Sequence, residues 1–166
     1  MGALTGLSGL SGISGIAGIS EGLTVPTASS NPPVLTVGFV GNLEIEVIYQ
    51  GPDPIDVSTF DVNDITVVGP NGYSENATFV SSVPASNAPF VTATYSIPPP
   101  LGAWDETDNG VYTISIEPNA VADDQGVFIA AGIIGQLTVN ITTQLLYSLD
   151  FSSGRNSLYL GTPGAY

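Results

Sequence analysis

The sequence predicts an all-β fold: an antiparallel sandwich of seven strands, preceded by an extended arm and followed by an extra strand or hairpin. Three observations carry that prediction. Apolar and polar residues alternate at period 2 in a series of short runs. Clusters of Pro, Gly, Asn and Asp separate the runs and supply the turns that short strands need. No stretch longer than a turn or two repeats at the 3.6-residue period of a helix. With 43% hydrophobic residues, the chain of 166 can bury a core, which excludes wholesale disorder.

The chain divides into an arm at 1–23, a linker at 24–33, the sandwich at 34–142 and a tail at 143–166. The linker is rich in Pro, Ser and Asn. Val34–Val40 is the first strand. In the second, Leu43, Ile45, Val47 and Tyr49 alternate with Glu44, Glu46 and Ile48, as a half-buried strand should. Asp64–Val68, Asn76–Ser82, Phe90–Ile97, Gly110–Glu117 and Ile133–Ile141 follow. In these, Val91, Ala93, Tyr95 and Ile97 form one inward row, Tyr112, Ile114 and Ile116 another, and Leu137, Val139 and Ile141 a third. The intervening Thr92, Thr94, Ser96, Thr113, Ser115, Thr138 and Asn140 are expected to face water. Aromatic rings are expected to point inward. Trp104 reads as a core or strand-edge anchor in preference to a carbohydrate-stacking platform. Seven strands in a domain of about 100 residues is the count of an immunoglobulin-like (Ig-like) sandwich.

The run Trp104-Asp105-Glu106-Thr107-Asp108-Asn109-Gly110-Val111-Tyr112-Thr113-Ile114 is similar to the W-x-x-x-D-N-G-x-Y-T-I run of bacterial Ig-like modules. So is Val121-Ala122-Asp123-Asp124-Gln125-Gly126 followed by Leu137-Thr138-Val139-Asn140-Ile141. The resemblance spans Val34 to Ile141. Such modules occur in repetitive adhesins, large cell-surface proteins and phage decoration or fibre proteins. The resemblance therefore implies the fold, and says much less about function.

The arm has a different period. Gly6-Leu7-Ser8, Gly9-Leu10-Ser11, Gly12-Ile13-Ser14, Gly15-Ile16-Ala17 and Gly18-Ile19-Ser20 are consecutive Gly-apolar-small triplets, with Leu4 extending the apolar row. Period 3 fits an extended polyproline-II-type helix, with glycine on one edge and Leu or Ile on another. Such a segment has no internal hydrogen bonds and a large ordering entropy, so it needs other chains to hold it. The tract resembles the collagen-like Gly-X-Y repeats of bacterial and phage surface proteins, with apolar residues where those carry proline. It reads as an assembly arm through Leu4, Leu7, Leu10, Ile13, Ile16 and Ile19, with a trimer favoured. A flexible Gly/Ser linker and a cryptic export segment are the alternatives. In the tail, Leu145, Tyr147, Leu149 and Phe151 alternate, and Leu158 and Leu160 follow. This is either a hairpin on the sandwich edge or a strand given to a neighbouring copy.

Charge narrows the function classes. Fifteen acidic residues face one arginine, Arg155, with no lysine or histidine, for a formal net charge of −14. Phosphate neutralisation is out of reach, so no nucleic acid partner is expected. Anionic lipid is excluded likewise, and no apolar run approaches the ~20 residues of a membrane span. Without His, Lys or Cys there is no base for a nucleophilic triad, no thiol chemistry and no ligand for zinc. Carboxylate pairs remain, as in glycosidases, but they fall in predicted turns, so the chain reads as non-enzymatic.

Calcium is the one cofactor this composition suits, because it takes carboxylate and carbonyl oxygens. In a Greek-key sandwich the loops 50–63, 83–89 and 118–132 share one end, which gathers Asp53, Asp56, Asp61, Asp123 and Asp124 there, with Asp64 beside them. The calcium candidates are Asp53, Asp56, Asp123 and Asp124. Against them stands the ordinary use of Asp and Asn as turn formers. Glu75, Asp105, Glu106 and Asp108 belong to the opposite end.

The expected protein is a non-enzymatic homo-oligomer displaying an Ig-like domain on a virion surface, as a phage cement, decoration or fibre component among other structural proteins. A start at Met1 without a standard leader tilts the expectation that way. The alternative is a calcium-stiffened Ig-like module of a bacterial adhesin or extracellular filament. A glycan-recognising accessory module is a third.

Overall fold

A computed structural model describes residues 25–142. The described chain is all-β. Its strands are β1 (Thr27–Ser29), β2 (Phe39–Val40), β3 (Leu43–Ile55), β4 (Ile65–Val68), β5 (Ser74–Asn76), β6 (Thr78–Val83), β7 (Ala88–Ile97), β8 (Ala103–Trp104), β9 (Gly110–Ile116) and β10 (Gly132–Val139). One four-stranded sheet has the order β1-β3-β7-β6 and a second the order β10-β9-β4-β5, with antiparallel pairing throughout. Two antiparallel sheets sharing one core make the fold an all-β, sandwich-like one. A two-stranded ribbon pairs β2 with β8.

The inward rows are the ones that period 2 selects. Ile45, Val47 and Tyr49 of β3 and Val91, Ala93, Tyr95 and Ile97 of β7 meet Ile65 and Val67 of β4, Tyr112, Ile114 and Ile116 of β9, and Leu137 and Val139 of β10. They form a single buried cluster. Each large aliphatic side chain in it contributes about 1.5–3 kcal/mol. Residues 25–142 hold no Lys, Arg or His, so no ion pair forms between their side chains. Apolar burial and hydrogen bonds carry the sandwich.

The structure departs from the sequence reading in four places. Residues 24–33, read as a linker, contain β1, which pairs Thr27, Ala28 and Ser29 with Gln50, Tyr49 and Ile48. Ser30 fastens it, its amide donating to the Ile134 carbonyl (2.9 Å) and its Oγ to the Glu46 carbonyl (2.7 Å). Val34–Val40, read as a full strand, pairs only at Leu35, in a parallel bridge to Val139, and at Phe39–Val40. Pro32 and Pro33 lack amide donors and end the pairing before it. Asn76–Ser82, read as one strand, is two: β5 belongs to one sheet and β6 to the other, and the buried Ala77 carries the chain across, its amide bonded to the Ile65 carbonyl at 2.8 Å. Finally, Phe90 and Phe128 are exposed, where inward aromatics were expected. Val91 claims the inward position of β7, so Phe90 turns out.

Candidate functional site

The two ends of the sandwich carry most of the polar chemistry. At the first end the loop after β3 meets the loop between β9 and β10. Ile55 bridges Asp123, the Asp124 amide donates to the Pro54 carbonyl (2.8 Å), and the Asp56 amide donates to the Ala122 carbonyl (2.9 Å). The calcium candidates thus share an end, yet Asp56 and Asp123 are each taken up by a separate turn. Asp56 Oδ1 accepts from the Ser58 amide (3.0 Å) and hydroxyl (2.7 Å), and these bonds hold its pKa below the usual carboxylate range. Asp123 is buried and its Oδ1 accepts from the Gln125 and Val127 amides at 3.0 and 2.8 Å. Asp124 Oδ1 accepts from Gln125 Nε2 at 2.9 Å. Asp53 is half-buried. Among the described residues no three acidic side chains gather as a metal site requires. Asp56 and Asp123 each close a turn of their own, and no cluster forms with Asp53 and Asp124 among the described residues.

Asp64 sits deeper, 1% exposed, where β4 begins. Its Oδ2 accepts from the Tyr95 hydroxyl (2.8 Å) and the Asp61 amide (2.8 Å), and Tyr95 shares a hydroxyl–hydroxyl bond with Tyr49 (2.9 Å). Burial raises the Asp64 pKa despite both donors. Burial also pushes Tyr49 and Tyr95 far above the usual phenol range. This triad ties β3, β7 and β4 together inside the core. No spacing rule in the sequence links these three residues.

The opposite end holds the Trp104–Ile114 run singled out in the sequence. Asp105 Oδ1 accepts from the Thr107 amide while Asp108 Oδ2 accepts from the Asp105 amide, a reciprocal cap on the Glu106–Asp108 turn. The Tyr112 hydroxyl donates back to the Asp108 carbonyl at 2.9 Å and so ties the start of β9 to the turn before it. Gly110 has φ +151°, and a Cβ there would overlap the Pro70 ring. Asn109 clamps the chain just past β10: its Nδ2 donates to the Ile141 carbonyl (2.8 Å) and its Oδ1 accepts from the Ile141 amide (2.6 Å). Trp104, 1% exposed, packs between Tyr73 and Tyr112 with ring centroids 6.3 and 5.5 Å away. It is a core anchor. An open hollow of about 430 Å³ lies beside it, lined by Pro70, Tyr73, Leu101, Thr107, Asp108 and Tyr112.

A third feature lies on the edge of the first sheet. Strand β3 has 13 residues and β1 only three, so β1 covers Ile48–Gln50 and leaves Leu43–Val47 without a strand partner on that side. An open trough of about 520 Å³ runs there, lined by Asn31, Pro32, Pro33, Glu44, Glu46 and Ile48.

The described body also has a polarity. Pro26 packs against Gly51 at the Asp53–Asp123 end, and Ile141 is clamped at the Trp104 end. Residues 1–24 and 143–166 therefore join it at opposite ends. The assembly-arm residues Leu4, Leu7, Leu10, Ile13, Ile16 and Ile19 and the tail lie outside the described residues. No protein-family model and no curated protein matches the chain.

Proposed function

We propose that this is a non-enzymatic structural subunit that assembles with copies of itself through its terminal segments and displays the sandwich between them. The observation that carries the reading is the attachment of the two segments at opposite ends of the sandwich, a geometry suited to a subunit that bridges contacts on either side. The chemistry agrees: the sequence has no His, Lys or Cys, and most of its Asp carboxylates close local turns. The setting we propose, following the resemblance to phage decoration and fibre modules, is a virion surface, where the subunit acts as a cement, decoration or fibre component beside other structural proteins.

Deleting residues 1–23 tests the reading. The expected product is a folded monomer, with the full chain oligomeric by light scattering. An oligomer mass unchanged by the deletion would remove the arm from the mechanism, and a monomeric full chain would remove self-assembly altogether.

A further inference from the structure

We propose that the open edge of β3 is a strand-docking slot, filled by residues 155–159 of the tail of a second copy. The inference rests on the self-assembly reading above and names one of its contacts.

The slot is built for an extended chain. The Glu46 carbonyl turns to the side away from β7, where it accepts the Ser30 hydroxyl (2.7 Å). Alternation of the strand backbone turns the peptide groups of Glu44 the same way. Pro32 and Pro33 run past on the far side with no amide to donate, so the chain's own segment cannot complete the ladder. An edge of five residues, about 17 Å long, with no strand partner and one side-chain bond, invites a guest strand. Main-chain hydrogen bonds would supply the affinity and the side chains the choice of guest.

Charge selects the guest. Glu44 and Glu46 point outward from neighbouring positions on one face, and among the described residues their carboxylates accept no hydrogen bond. Most other Asp carboxylates of the sandwich already hold a turn or a cap. The sequence has a single basic side chain, Arg155, and it lies in the tail. In a strand, Arg155, Ser157 and Tyr159 share one face. Running antiparallel to β3, that strand sets Arg155 beside Glu46 and Ser157 beside Glu44, while Leu158 faces the sandwich interior. An exposed ion pair contributes little to affinity, so the arginine sets register while the backbone bonds hold the strand.

Topology selects a second copy. Ser30 bonds both β3 and β10, and Leu35 pairs with the end of β10, so segment 30–35 crosses the flank between the tail's point of exit and the slot. A chain's own tail would have to climb over that segment.

Cysteine cross-linking tests this cleanly, because the protein has no cysteine of its own. Full-length Glu44→Cys and Ser157→Cys chains, made with different tags, are mixed and oxidised. The expected product is a disulfide-linked heterodimer, at least tenfold more abundant than with Val68→Cys on the far sheet in place of Glu44→Cys. Glu44→Arg/Glu46→Arg should weaken docking, and adding Arg155→Glu should restore it. Oligomers by light scattering with equal cross-linking at both sites overturn the slot and leave self-assembly standing. A monomeric full chain overturns the functional reading itself. A chain carrying both cysteines that closes only on itself, with no dimer, assigns the slot to its own tail and overturns the second-copy proposal.

Discussion

Tyr95→Phe removes a hydroxyl that serves two buried partners, Asp64 Oδ2 at 2.8 Å and the Tyr49 hydroxyl at 2.9 Å. Each buried polar group left unsatisfied costs about 1–3 kcal/mol, so the variant should lose about 3 kcal/mol. For a domain of this size that lowers Tm by about 10 °C. The loss should also depend on pH. Burial raises the Asp64 pKa, so this group's contribution is complete below the unfolded-state value of about 3.9 and is lost as pH rises through the raised folded-state value. Without the Tyr95 donor the ionised carboxylate is worse accommodated still, and the cost should be larger at pH 7 than at pH 4. Tyr49→Phe is the control, since Tyr95 keeps its bond to Asp64 there, and its smaller cost should not change with pH. Urea denaturation at the two pH values measures both. A Tyr95→Phe cost below about 0.5 kcal/mol, or one equal at both pH values, would refute the reasoning.

Gly135→Ala should cost about 3 kcal/mol in the same assay, because a Cβ there would overlap the Ser30 carbonyl that crosses β10. Gly126→Ala, at φ +81° with nothing within 4 Å, should cost only about 1 kcal/mol of backbone strain. Alkali should unfold the protein. Burial raises Tyr49, Tyr73 and Tyr95 and pushes Tyr112 up to about 12, so their contribution is whole below the ordinary phenol value of about 10 and lost above it. With no His, Lys or Cys to titrate, Tm should be nearly flat from about pH 6 to 9, then fall together with the rise of tyrosinate absorbance. Millimolar calcium or a chelator should leave Tm within about 1 °C, since Asp53, Asp56, Asp123 and Asp124 do not converge on one site.

What the sequence disclosed follows from how local each determinant is. Strands β3, β7, β9 and β10 carry strong period-2 rows, and these rows build the core. Strand β1 was hidden because it is three residues long and is fixed by Ser30 reaching Ile134 and Glu46, contacts far away in the chain. The break at Ala77 was hidden because alanine is not a strand breaker; its small side chain lets the backbone cross between sheets. Strand parity brought the right loops to the Asp53–Asp123 end, but it could not say that Ser58, Gln125 and Val127 claim the carboxylates. The open edge of β3 was equally illegible. Glu44 and Glu46 alternate cleanly and read as solvent residues, while the vacancy beside them depends on how far the neighbouring strand happens to run.

The charge distribution gives these pieces a common sense. Apart from Glu21 and Asp150, every acidic residue lies within 25–142, thirteen in all, and no cation accompanies them. At physiological ionic strength the resulting field reaches about 8 Å from the surface, so sandwiches meeting at random repel. Residues 1–20 carry no charged side chain, and in 143–166 Arg155 balances Asp150. On the self-assembly proposed above, the repulsive body would suppress indiscriminate contact and leave association to segments that carry little net charge. A slot that opposes Glu44 and Glu46 to the single arginine follows the same logic, because it is one place where approach of a second copy brings opposite charges together.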